Sequence, residues 1–250
     1  SSPVASHSSD KSTRLGPHSD AVSGARLLLQ AKHRRIRREF LVEGPQGAEA
    51  ALESGWVTSL YATDLDHPLV LRAQSKGVRM YCVTDQGLAA ISETVSPQGI
   101  VAVCSMPETE LEAVRSGTVV VCAGISDPGN LGTIIRTAAA AGASAVITTT
   151  GSADIFGGKC IRSTVGTFTK IALVGPFPEV DVIAHLKNSA IPILATTGSG
   201  VNVLSDNKVG SVLAGAHAWV FGSEAHGLSH VWLDSADVDR KSTRLNSSHV

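Results

Sequence analysis

The chain has 250 residues, of which 43% are hydrophobic and 17% charged, enough to bury a core and more than one domain usually needs. Its formal net charge of -1 excludes a globally basic nucleic-acid binder, so affinity for a polyanion has to come from a local patch. There is no long apolar run of membrane-span length, and the opening SSPVASHSSD has no basic segment leading into an apolar one, so a cytoplasmic location without a membrane partner is expected.

Residues 1–22 are rich in Ser, His, Asp and Pro without apolar period and are expected to form a disordered tail. A helix is expected from Ala25, with Leu27, Leu28, Ala31 and Ile36 on or near one face and Lys32, His33, Arg34, Arg35, Arg37 and Arg38 on the other. Strand and helix signals then alternate: strand 40–42, helix 46–54, strand 57–62, helix 69–76, strand 78–83, helix 86–91 and strand 99–104. This describes a small α/β domain over 23–107, followed by a linker over 108–117. Beyond it, strands at 118–123, 145–149, 171–174, 191–196 and 218–222 are apolar on both faces, the mark of a parallel sheet covered by helices. An Ala-rich helix is expected over 132–141. The four cysteines, Cys82, Cys104, Cys122 and Cys160, form no C-x-x-C pair and read as reduced cysteines, with no metal site expected.

Ligands of open α/β sheets gather at the carboxyl ends of strands, which draws attention to three loops. In the first, Asp127-Pro-Gly129 makes a tight turn, Asn130 and Gly132-Thr133 open a helix, and Arg136 sits one turn inside it. Two readings stand there: a polar-ligand site, or a helix capped by Asn130 with Arg136 paired to a carboxylate. The second loop, Thr197-Gly198-Ser199-Gly200, approaches the dinucleotide pattern but has Val203 at the last glycine position, which argues against a nucleotide-dependent oxidoreductase. Likewise Gly157-Gly158-Lys159-Cys160 lacks the spacing of a phosphate-binding loop. The third, from Phe221-Gly222-Ser223-Glu224 to His226-Gly227-Leu228, combines glycines that admit a ligand with two acid-base groups.

Taken in order, D-P-G-N-L-G-T-I-I-R-T-A at 127–138, Arg162-Ser163-x-x-Gly166 and F-G-S-E-A-H-G-L at 221–228 resemble the SpoU/TrmH (SPOUT-class) RNA ribose 2'-O-methyltransferases. Arg37-Arg-Glu-Phe-Leu-Val-Glu-Gly-Pro45 and Ser96-Pro-Gln-Gly-Ile-Val101 are similar to that family's L30e-like RNA-binding domain. The resemblance implies an α/β fold: a small L30e-like domain, then a SPOUT domain over 118–238 of the trefoil-knot type that binds S-adenosylmethionine and works as a homodimer. It implies Asn130, Arg136 and Glu224 as catalytic residues, and Thr196, Thr197, Gly198, Phe221, Gly222, Glu224, Gly227 and Leu228 around the methyl donor. Arg34, Arg35, Arg37, Arg38, Arg162 and Ser163 are the implied RNA contacts, with ribosomal RNA favoured over transfer RNA.

One departure bears on activity. The family's third motif is expected about 25 residues after Gly227, by resemblance, whereas residues 239–249 read like a translated DNA sequencing adapter. On that reading 239–250 is a non-native tail, the knot is incomplete and the chain is inactive as written. The alternatives are a non-catalytic RNA-binding protein and a transfer-RNA 2'-O-methyltransferase; the presence of both Asn130 and Arg136 favours a catalytic ancestry.

Overall fold

The computed structural model describes residues 13–196 and 213–236. The chain divides into two compact units, Ser1–Met106 and Pro107–Val250. The first contains a four-stranded sheet of β1 (Glu39–Glu43), β2 (Val57–Ala62), β3 (Arg79–Cys82) and β4 (Ile100–Ser105), in the order β1-β4-β2-β3. β4 runs antiparallel to both β1 and β2, while β2 and β3 are parallel. β1 and β4 bury consecutive residues on both faces, so they read as continuous apolar runs rather than alternating ones.

One face of that sheet carries Leu41, Tyr61, Val101 and Val103, packed with Val22, Ala25 and Leu28 from the N-terminal helices and with Leu88 and Ile91. Those helices are α1 (Asp20–Arg26), a 3₁₀ turn (Leu27–Leu29) and α2 (Ala31–Arg37). α3 (Pro45–Glu53) and α4 (Pro68–Ser75) each begin with a proline in the first turn, and α5 (Asp85–Ala90) is capped by Thr84, whose hydroxyl accepts from the Gly87 N–H. α3 and α4 bury Ala48, Ala51 and Leu52 and Leu69, Val70 and Ala73 respectively.

Two expectations are corrected here. Residues 13–22 are not a tail: Leu15 pairs alongside Val83, the Ser19 hydroxyl caps α1, and Val22 is buried. A few anchored residues suffice where polar composition hides the pattern. Nor is the helix from Ala25 continuous, because Gln30 is extended at φ -102 and ψ 130 and separates the 3₁₀ turn from α2.

The second unit is built on β5 (Thr118–Ala123), β6 (Ala145–Thr149), β7 (Ala172–Phe177), β8 (Ile193–Ala195) and β9 (His217–Gly222), all paired in parallel in the order β7-β6-β5-β9-β8. One face buries Val119, Val121, Ile147, Val174 and Val220 under Val182, Ile183 and Leu186 of α8 (Glu179–Asn188) and Trp232 of α9 (His230–Ser235). α6 (Pro128–Ala140) and α7 (Gly158–Ser163) bury Leu131, Ile135, Cys160 and Ile161 on the other side. The stretch expected to be a linker packs as well: Leu111 and Val114 join this core, and the Val114 carbonyl lies 2.6 Å from the His185 imidazole Nε2.

Candidate active site

Parallel pairing of β5 with β9 and of β9 with β8 sets Ala123 beside Gly222 and Ala195 beside Val220, so the loops leaving these three strands start at one edge of the sheet. The β5 loop is tied down by residues that sequence reasoning passed over. The Gly124 N–H donates to Thr149 Oγ1 at 3.0 Å and the Ile125 N–H to Ser152 Oγ at 3.1 Å, while Ser152 donates to the Cys122 carbonyl at 3.2 Å. The run of threonines ending β6 and the following Gly-Ser were the only signal for this lacing.

α6 opens at this edge. Asp127, not Asn130, caps it: its carboxylate accepts the Asn130 N–H at 2.8 Å, and Pro128 occupies the first helical position. The Asn130 side chain is therefore not spent on capping and stands exposed in the first turn. Arg136 is also exposed and, contrary to the pairing weighed above, has no ion-pair or hydrogen-bond partner for its guanidinium among the described residues. Six residues place the two about a third of a turn apart around the helix and about 9 Å apart along it, so they serve separate points on a ligand.

Helical spacing sets Arg136 on the edge of α6 that carries Gly129 and Gly132, the two positions that meet α7. At Gly132, on that edge, a Cβ would sit 2.4 Å from Ser163 Cβ and 2.5 Å from the Cys160 carbonyl oxygen, so glycine is what lets the helices meet. The structure thus brings Arg136 and the Arg162-Ser163 pair into one two-helix unit. The Ser163 hydroxyl donates to the Lys159 carbonyl at 2.9 Å, and Arg162 is half-buried and bonded. Burial pushes the Cys122 and Cys160 thiols up to about 12, which keeps them protonated and excludes them as nucleophiles.

After β9 the chain turns sharply. The Gly227 N–H donates to the Ser223 carbonyl at 2.8 Å, the His226 N–H to Ser223 Oγ at 3.0 Å, and a Cβ at Gly222 would lie 2.5 Å from the Gly227 backbone. This projects Glu224 and His226 into solvent and leaves Phe221 36% exposed. Thr196, leaving β8, spends its hydroxyl on the Val220 carbonyl at 2.7 Å. Thr197 and Gly198 lie outside the described residues, as do 239–250.

The residues present fit S-adenosylmethionine. An exposed aromatic edge and glycine backbone at Gly227, where a Cβ would meet nothing within 4 Å, suit an adenosine, and residues 213–236 contain no Lys or Arg to repel a sulfonium. Among the described residues no group of three or more His, Cys, Asp or Glu could hold a metal ion.

In the first unit the basic helix separates into two sets. Arg34 is buried, and its guanidinium donates to the Leu28 and Leu29 carbonyls at 3.0 and 3.1 Å, closing the 3₁₀ turn. Arg37 donates to Glu39 at 3.0 Å and to the Gly24 carbonyl at 2.6 Å. Arg34 is therefore corrected from an RNA contact to a structural residue and Arg37 is already engaged, whereas Arg35 and Arg38 are exposed.

The SpoU rRNA Methylase family matches residues 117–242, and the MRM3-like substrate binding domain matches residues 20–102. The chain is 40% identical over 213 residues to the Bacillus subtilis 23S rRNA (guanosine(2553)-2'-O)-methyltransferase RlmP, covering 83% of this chain and 81% of that protein. It is 30% identical to human mitochondrial rRNA methyltransferase 3 across 87% of its own length and 53% of the relative's. Among solved structures, the AdoMet-bound rRNA methyltransferase of Sinorhizobium meliloti superposes with a TM-score of 0.77 at 26% identity, over 90% of this chain and 86% of that one. The Streptomyces viridochromogenes SpoU methyltransferase AviRb in complex with AdoMet gives 0.73 at 26% identity, over 88% and 86%. With the family pattern lying across the sheet edge and seam just described, this chain belongs to the SpoU rRNA methylase family.

Proposed function

We propose that the chain transfers a methyl group from S-adenosylmethionine to a ribose 2'-OH of 23S ribosomal RNA. The observation that carries this is the 40% identity to a 23S rRNA 2'-O-methyltransferase across both units. When bound, the donor supplies an electrophilic methyl group on a sulfonium. Phe221, Gly222 and the 223–227 turn would hold it at the sheet edge, and Glu224 would supply a carboxylate to its positive charge.

A ribose hydroxyl is a weak nucleophile, so most of the acceleration comes from alignment. Arg136 stays protonated and is no base. Its guanidinium instead binds the phosphate next to the reacting ribose and stabilises the alkoxide as charge develops, while the proton leaves to solvent. Asn130, about 9 Å further towards the sheet edge, orients the ribose by hydrogen bonding. Arg35 and Arg38 supply phosphate contacts that position RNA without reading sequence.

The test is methyl incorporation from labelled donor into a 23S rRNA transcript, with a transfer-RNA transcript in parallel. Ribose methylation of the first is expected, seen as resistance of one linkage to alkaline cleavage, and would overturn the inactivity read from residues 239–250; no label in either transcript would bear that inactivity out. Label on a base, or only in transfer RNA, overturns the reading. Arg136→Ala is expected to lower the rate at least a hundredfold, about 3 kcal/mol of transition-state stabilisation, with donor affinity retained in calorimetry; preserved activity removes Arg136 from the mechanism. A homodimer and a cytoplasmic location complete the proposal, the first tested by sedimentation equilibrium and the second by fractionation.

A further inference from the structure

The edge of α6 that faces α7 carries more than Arg136. At Gly129 a Cβ would lie 3.6 Å from Lys159 Cε and 4.0 Å from Ser163 Oγ, and at Gly132 it would collide with α7 outright. The glycines thus fix Lys159 beside the first turn of α6, the turn that carries Asn130. Arg136 continues the same edge two turns beyond Gly129, about 10 Å along the axis.

Lys159 is exposed, and its ammonium, like the Arg136 guanidinium, has no ion-pair or hydrogen-bond partner among the described residues. The nearby Asp127 carboxylate, 3.2 Å from the Gly129 Cβ position, accepts the Asn130 N–H instead. Two unpaired cations set along one helix seam are a track for successive anionic groups rather than a single-ion pocket. Surface lysines usually point freely into water, but this one has its stem laid against a glycine that a larger residue would fill.

We propose that Lys159 is a substrate contact, binding a backbone phosphate on the far side of the reacting nucleotide from the phosphate held by Arg136. This rests on RNA being the substrate. A lysine suits the place because a compact, rotatable charge accepts a range of phosphate positions, while the planar fork of Arg136 fixes one.

Binding of a fluorescent 23S rRNA transcript to the full chain, measured across a salt series, tests it. Lys159→Gln is expected to lower the slope of log affinity against log salt by about 0.7 to 0.9, the loss of one phosphate contact. It should also raise KM for RNA with kcat and donor affinity unchanged, and Lys159→Arg should restore the slope. If K159Q keeps the wild-type slope while R136Q lowers it, Lys159 is no contact although RNA remains the substrate. A wild-type slope near zero overturns the RNA reading and this inference with it.

Discussion

Arg34 and Arg35 are neighbours in sequence with the same chemistry, yet one is buried with its guanidinium on two backbone carbonyls and the other is exposed. Replacing Arg34 with Ala strands the Leu28 and Leu29 carbonyls and is expected to cost about 2 kcal/mol of stability, read as a lower denaturant midpoint. Arg35→Gln with Arg38→Gln should leave the midpoint in place and flatten the salt dependence of RNA binding instead. A stable R34A protein would show that those two bonds contribute nothing. Composition could not separate these arginines, because the difference lies in which side chain meets the end of a 3₁₀ turn, and the turn exists only because Gln30 leaves the helix. Asn130 was legible as a helix-opening residue, but the capping role belongs to Asp127 three positions earlier, and that frees the Asn130 amide.

Close packing of α6 on α7 makes Gly132 a sensitive position. Gly132→Ala places a Cβ 2.4 Å from Ser163 Cβ and 2.5 Å from the Cys160 carbonyl oxygen of α7, and the expected cost is about 1–3 kcal/mol together with weaker RNA binding as Lys159 and Ser163 are pushed outwards. Unchanged melting and unchanged affinity would show the seam to be more yielding than its geometry states. Elements that the sequence announced share one trait, apolar residues dense enough to set a period. β5, β6 and β9 were legible for that reason, and the three loops followed from them. α7 was not, since six residues give less than two turns of pattern, and its position comes from Cys160 and Ile161 packing beneath it. The ties from Thr149 and Ser152 to the β5 loop were hidden for a different reason: they are contacts between loops more than 20 residues apart in the chain.

The two units each have their own sheet and their own buried cluster. A fragment spanning 13–106 is accordingly expected to fold alone, with one cooperative thermal transition and a dispersed amide spectrum; a broad, probe-dependent transition would mean its core needs the rest of the chain. Division into two α/β bodies was readable from the change in strand character after residue 117, whereas the packing of 111–114 onto the second body was not, because two apolar residues in a polar stretch carry no period.

Strand order in the second unit also dictates a timetable. β8 is made before β9 but its partner in the sheet is β9, which pairs with β5 across the register Thr118 to His217. As the chain leaves the ribosome, β8 has no neighbour to join, and β5, β6 and β7 stand with one side of β5 open until residues 217–222 arrive. Such long-range closure is slow, and the waiting edge is a template for the wrong strand. The sheet edge proposed to bind the methyl donor is therefore completed late, and the 223–227 turn that closes it is made only after β9.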